Sequence, residues 1–174
     1  VEWKENFKGI LGAHPWLKNE FDSYLGSIFE GGGSLQEHSH GLHLLTIILK
    51  LKKIKLNDLK FNSNVIFKKN KKKKYDCFCN IVNMSKNLFI KYETDLLTWP
   101  AQKKVKISGD NYKLRWQCNY KKNIDRVVEE IKGKEKNVYF SKSRSQEFEN
   151  ELQHILNTST VQYKNSFLNL ENAL

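Results

Sequence analysis

The stretch Phe29-Glu30-Gly31-Gly32-Gly33-Ser34-Leu35 places three of the chain's nine glycines side by side. A Gly/Ser run carries no side chains to pack and behaves as flexible coil, so it joins two bodies without dictating how they meet. Natural loops more often mix Gly with Asn, Asp and Pro chosen for particular turns. The run therefore predicts a chain in two parts: residues 1–30, an engineered Gly/Ser linker at residues 31–34, and a main domain at residues 35–174. Charge divides at the same point. Residues 1–30 carry Lys4, Lys8 and Lys18 against Glu2, Glu5, Glu20, Asp22 and Glu30, while the whole 174-residue chain has a net charge of +11. An acidic, aromatic segment beside a basic domain is the pattern of a partner peptide joined to its receptor.

Within the first part, Trp3, Phe7, Ile10 and Leu11 recur at helical spacing, and Gly12 with Pro15 ends the stripe. Pro15 suits the first turn of a second helix, whose apolar face is Leu17, Phe21, Leu25, Ile28 and Phe29. Two helices this short are marginal alone in water and need a surface to bury against. The predicted partner-binding residues are Trp3, Phe7, Ile10, Leu11, Trp16, Leu17, Phe21, Leu25, Ile28 and Phe29.

From residue 42 the pattern turns β-like. Strands are predicted at Leu42–Leu51, Val65–Lys68, Tyr75–Asn83, Leu88–Tyr92, Val105–Ile107, Tyr112–Cys118 and Val138–Phe140, with turns at Asn57-Asp58, residues 83–87, Trp99-Pro100 and residues 108–111. Residues 123–132 fit either strand or helix. Ser143 with Gln146 forms a capping box for a closing helix whose face is Phe148, Leu152, Ile155 and Leu156, with a second stripe at Tyr163, Phe167, Leu170 and Leu174.

A strand, VYF, running into the helix SKSRSQEFENELQHIL after about seven strands resembles the end of a pleckstrin-homology-like (PH-like) domain over residues 42–156. The resemblance implies an α+β fold: a seven-stranded antiparallel β-barrel or sandwich capped by a C-terminal α-helix, here with the N-terminal pair of amphipathic helices docked on it. Some members bind phosphoinositides through basic residues after the first strand, where Lys50, Lys52, Lys53 and Lys55 fall, although the usual Arg-containing lipid motif is missing. Others capture helices of partner proteins beside the closing helix.

Of the 30 basic residues only Arg115, Arg126 and Arg144 are arginine, so few of the bidentate forks that read guanine are present. The run Lys68, Lys69, Lys71, Lys72, Lys73 and Lys74 between two predicted strands reads either as a site for nucleic-acid phosphates or an anionic surface, or as a solvated hairpin tip. Cys77, Cys79 and Cys118 lack the paired spacing of a structural zinc site and read as free thiols of an intracellular, reducing compartment. His38, His40 and His43 read as a solvated lead-in that could bind metal only adventitiously.

Asp110 ahead of Glu129-Glu130-Ile131-Lys132 echoes PD-(D/E)xK metal-dependent nucleases, in which two carboxylates hold magnesium and a lysine orients water; a Lys- and Glu-rich chain supplies E-x-K readily by chance. The reading that follows is a non-enzymatic adaptor with no cofactor, no metal and no small-molecule substrate. Its partner is the protein supplying residues 1–30, in a nuclear, chromosome-associated complex of the kind that initiates meiotic recombination, with non-specific DNA contact through the lysine loop. The nuclease and the phosphoinositide- or nucleic-acid-binding module are the alternatives.

Overall fold

The computed structural model describes residues 1–13, 16–70, 72–85 and 87–157. The chain is an α+β fold built on a mixed eight-stranded sheet. In chain order the elements are β1 (Glu2–Lys4), α1 (Phe7–Ala13), three single 3-10 turns at Glu20–Asp22, Tyr24–Gly26 and Ile28–Glu30, α2 (Ser34–Glu37), α3 (Ser39–Leu51), β2 (Asn62–Lys69), β3 (Lys74–Ser85), β4 (Leu88–Asp95), β5 (Gln102–Gly109), β6 (Tyr112–Lys121), β7 (Ile124–Ile131), β8 (Lys134–Ser141) and α4 (Arg144–Asn157). A further 3-10 turn, Leu56–Asp58, precedes β2. The strand order is β2-β3-β4-β1-β5-β6-β7-β8. Contacts divide the chain into two compact units, residues 1–106 and 107–174, rather than at the glycine run.

Several expectations need correction. Leu42–Leu51, expected as a strand, is the body of α3. Gly41, Leu45 and Leu49 are its buried residues, a helical stripe that packs on Ile90 and Tyr92, and this stripe overrides the β-branched Thr46, Ile47 and Ile48. Trp3 lies on β1, not on a helix; β1 pairs in parallel with β4 and antiparallel with β5, so the sheet is not an all-antiparallel meander of seven strands. Residues 17–29 form separate 3-10 turns instead of a continuous second helix. The ambiguous residues 123–132 contain the strand β7. The second stripe at Tyr163, Phe167, Leu170 and Leu174 lies outside the described residues, as do His14, Pro15 and Lys71.

In residues 1–106 two cores form on one side of the sheet. Ile10, Leu25, Tyr75, Cys77 and Leu96 make the first, with Phe7, Leu17, Phe21 and Ile28 packed around them. Leu45, Leu49, Ile90 and Tyr92 make the second, with Trp3, Leu35, Leu42 and Ile81 against it. Because side chains alternate along a strand, the neighbours of these residues point to the opposite face. In residues 107–174, β6 pairs with β7 and β7 with β8, all antiparallel. The β7–β8 turn carries Lys132 and Gly133 at positive φ, as a tight hairpin requires. Gln146 N donates to Ser143 Oγ at 3.2 Å, the N-terminal cap of α4 that the sequence announces.

Candidate functional site

The glycine run is packed. Gly31 and Gly33 adopt φ of 86° and 107°, and a Cβ on Gly32 would lie 2.6 Å from the Leu25 carbonyl carbon. A Cβ on Gly33 would meet the Asp76 carboxyl carbon at 2.8 Å. Glycine is used here because backbone passes against backbone and a carboxylate closes over the turn. Asp76 reaches from β3 to the start of α2, where its Oδ2 accepts from Ser34 Oγ at 2.7 Å and from Leu35 N at 2.9 Å. It thereby satisfies amide and hydroxyl donors that the helix start leaves over. Ser34 is wholly buried.

A polar knot continues from Ser34. Thr94 Oγ1 donates to Ser34 O at 3.2 Å, His38 Nδ1 lies 2.8 Å from Thr94 Oγ1, and Tyr92 OH donates to His38 O at 2.9 Å. The Thr94 hydroxyl has one proton and gives it to Ser34, so His38 Nδ1 is the donor of its pair. Burial, reinforced by the Lys103 ammonium, pushes the His38 imidazole down to about 4, against the opposing pull of Asp95. His38 is therefore a neutral core residue, not part of a solvated lead-in.

The residues expected to dock as a partner's anchors separate into two groups. Ile10 and Leu25 are buried, and Phe7, Leu17, Phe21 and Ile28 pack around them. Phe7 and Phe21 meet the Tyr75 ring at 5.7 and 5.6 Å. Trp3 packs in the second core, and Leu11 is half-buried. Trp16 and Phe29, by contrast, are 71% and 91% exposed. β1 is hydrogen-bonded on both sides within the sheet, so the segment reaches the middle of the fold. Its acidic residues do face lysines as charge predicts: Glu20 pairs with Lys68 and Glu30 with Lys73.

The lysine hairpin joins β2 to β3. All of β2 is exposed, and Lys69 and Lys72 are exposed with it. Asn70 Oδ1 accepts from the amides of Lys72 and Lys73 at 3.1 and 2.9 Å, which folds the tip back, and Lys74 Nζ stands 4.0 Å over the Phe67 ring. Lys69 and Lys72 thus present their ammonium groups to solvent beside this Asn70 turn.

The sheet face opposite the two cores is polar in a way the sequence reading missed. Cross-strand register aligns Asn64, Asn80, Glu93, Glu2 and Lys104 in one row, with Asn62 and Lys91 to one side and Lys4 and Gln102 to the other. Lys4 and Lys91 both pair with Glu93, and Lys104 Nζ donates to Gln102 Oε1 at 2.8 Å. Alternation in the β2, β3 and β5 sequences carries this signal once their pairing is known. Residues 31–106 hold sixteen lysines against five carboxylates; on the sheet face itself Lys4, Lys91 and Lys104 stand among Glu2, Glu93 and Asp95, so the excess positive charge lies in the hairpin and the other loops.

The residues of the nuclease alternative lie at one end of the β6–β7 pair, where Lys132 N donates to Asn111 O at 2.9 Å. Asp110 is an exposed turn residue, Lys132 sits on the β7–β8 turn, and the Glu130 carboxylate takes a 2.8 Å bond from Lys113, which holds it below its ordinary value. Among the described residues no three His, Cys, Asp or Glu side chains gather as a metal would require. The cysteines Cys77 and Cys79 are buried free thiols. No described helix is long and apolar enough to cross a membrane. No protein-family model matches this chain, and no curated protein matches it.

Proposed function

We propose that the chain is a nucleic-acid-binding module that lays its β2–β3 hairpin and the adjoining polar edge of its sheet against a phosphate backbone. The observation that carries this reading is the exposed β2–β3 hairpin with Lys69 and Lys72, beside a polar face opposite both cores on which Asn62, Asn64, Asn80 and Gln102 stand with Lys104, and Lys4 and Lys91 are paired with Glu93. Lysines supply the sequence-independent attraction to phosphate, and Asn or Gln amides are the groups that pair with adenine in the major groove, where a β-ribbon fits. The test is fluorescence anisotropy with a short duplex over a series of salt concentrations, for the parent and for Lys69→Ser, Lys72→Ser and Lys104→Ser. Binding should weaken with salt, and each lysine that meets a phosphate should reduce the log–log slope by about 0.9. No binding at low salt, or a slope untouched by the three changes together, overturns the reading.

A second reading is favoured by the ion pairs Glu20–Lys68 and Glu30–Lys73 beside the Phe7–Tyr75–Phe21 ring contacts. There the basic domain, PH-like in its closing strands and helix, is an adaptor holding an acidic aromatic segment of a partner in a nuclear complex. Inserting a protease site at Gly31 and cutting it tests this: an adaptor releases residues 1–30 and rebinds them saturably, with Phe21→Ala weakening the return. A cut chain that unfolds instead removes the adaptor reading.

A further inference from the structure

The unit of residues 107–174 has its own open feature. Bulging between Gln117 and Lys121 turns the Tyr120 ring toward β8, where it meets Tyr139 with centroids 6.1 Å apart and planes tilted by 38°. Arg126, opposite Tyr139 in the β7–β8 register, lays its guanidinium 4.0 Å over the Tyr120 ring and donates to Gln117 Oε1 at 3.4 Å. Arg115 is held by Glu135 and Lys113 by Glu130, but no described carboxylate pairs with Arg126. Tyr139 is 56% exposed.

We infer that Tyr139, backed by Tyr120 and Arg126, is a stacking platform for an unpaired nucleobase. The occupant follows from the chemistry present. An exposed aromatic face takes a planar ring, an uncompensated guanidinium takes a carbonyl or phosphate oxygen, and an unpaired base in a strand offers all of these at once. A duplex offers no free base face, so the platform discriminates single strands from double. The inference rests on the nucleic-acid reading above but uses residues that reading does not need.

The test compares two fluorescent strands of equal length and charge, one of thymidines and one abasic, binding to the full chain. Stacking of one base should favour the thymidine strand about tenfold. Tyr139→Leu should remove most of that preference and leave the salt slope unchanged, while Tyr139→Phe should keep it. Equal affinity for the two strands, or a preference that survives Tyr139→Leu, overturns the platform and leaves the phosphate-binding reading standing. Failure of both strands to bind at low salt overturns the platform, and only absence of duplex binding as well overturns the phosphate-binding reading.

Discussion

Gly33→Ala should destabilise the fold far more than a substitution in a tether could. Gly33 has φ of 107°, a conformation that side-chain-bearing residues populate only under strain, costing about 1–3 kcal/mol. The added methyl also enters the space of the Asp76 carboxyl, whose carbon would stand 2.8 Å from the new Cβ. Asp76 is buried and fixed between Ser34 Oγ and Leu35 N, so pushing it aside leaves donors and a carboxylate unpaired, a further loss of about 1–3 kcal/mol. The sum, about 2–6 kcal/mol, is a large part of the stability of an ordinary domain. At about 2–4 °C per kcal/mol it lowers Tm by about 10 °C. Gly32→Ala should act similarly, since its Cβ would strike the Leu25 carbonyl group. Gly31→Ala is the control: its Cβ meets open space, and only the positive φ opposes it, by about 1 kcal/mol. Calorimetric or circular-dichroism melts of the three variants decide the matter. If all three melt within about 2 °C of the parent, the run is a tether and the packing argument fails.

Two further outcomes follow from buried charge. His38 has a folded pKa of about 4 against about 6.5 unfolded, so the unfolded state takes up the proton first; its contribution is complete above pH 6.5 and is lost as pH falls toward 4, about 3 kcal/mol in all. Urea unfolding at pH 7 and pH 5 should show about 2 kcal/mol of that loss, and His38→Gln should lessen the difference; equal pH dependence in the two proteins refutes the assignment. Asp125→Asn should cost about 2 kcal/mol, because the buried carboxylate accepts from Asn119 N at 2.8 Å and Trp116 Nε1 at 3.1 Å and faces Lys142 at 3.0 Å; denaturant titration at pH 7 checks it, and an unchanged midpoint would mean these bonds add nothing.

What the sequence made legible depended on how local the cause was. Six of the seven predicted strands lie within observed ones, because alternation and turn residues act over a few positions. α4 was equally plain, since Ser143 and Gln146 mark its start. Leu42–Leu51 was misread because an apolar run fits strand and helix alike until the partner surface, here Ile90 and Tyr92, is known. β1 was hidden for a stronger reason: a three-residue strand has no period, and its place between β4 and β5 is a long-range pairing. The glycine run was misjudged as unpacked because its packing partner, Asp76, stands far along the chain. The lysine hairpin could be read directly, whereas the Asn62–Asn64–Asn80 face and the Tyr120–Tyr139–Arg126 cluster exist only through register.

Register and charge together yield the last prediction. Glu20 and Glu30 hold Lys68 and Lys73, so these two ammonium groups are unavailable to a phosphate while Lys69 and Lys72 project freely into solvent. Burial alone would raise the Glu20 pKa, but Lys68 together with hydrogen bonds from the backbone and Tyr75 holds the carboxyl below its usual range. Each pair has one exposed partner, Lys68 or Glu30, and one largely buried one, Glu20 or Lys73, and pairs at the surface add about 0–1 kcal/mol to stability. Glu20→Gln with Glu30→Gln should therefore leave the melting temperature within about 3 °C of the parent. Their effect on binding should be larger, because two released lysines can each displace counterions from nucleic acid. Affinity for duplex at low salt should rise, and the salt slope should steepen by up to about 1.8, two phosphates at about 0.9 each. The measurement is anisotropy at several salt concentrations beside a thermal melt. A double variant with parental slope and affinity would place the phosphate contacts away from this hairpin, on the sheet face bearing Lys91 and Lys104. A large fall in Tm with no gain in binding would show instead that the acidic segment and the hairpin serve folding alone.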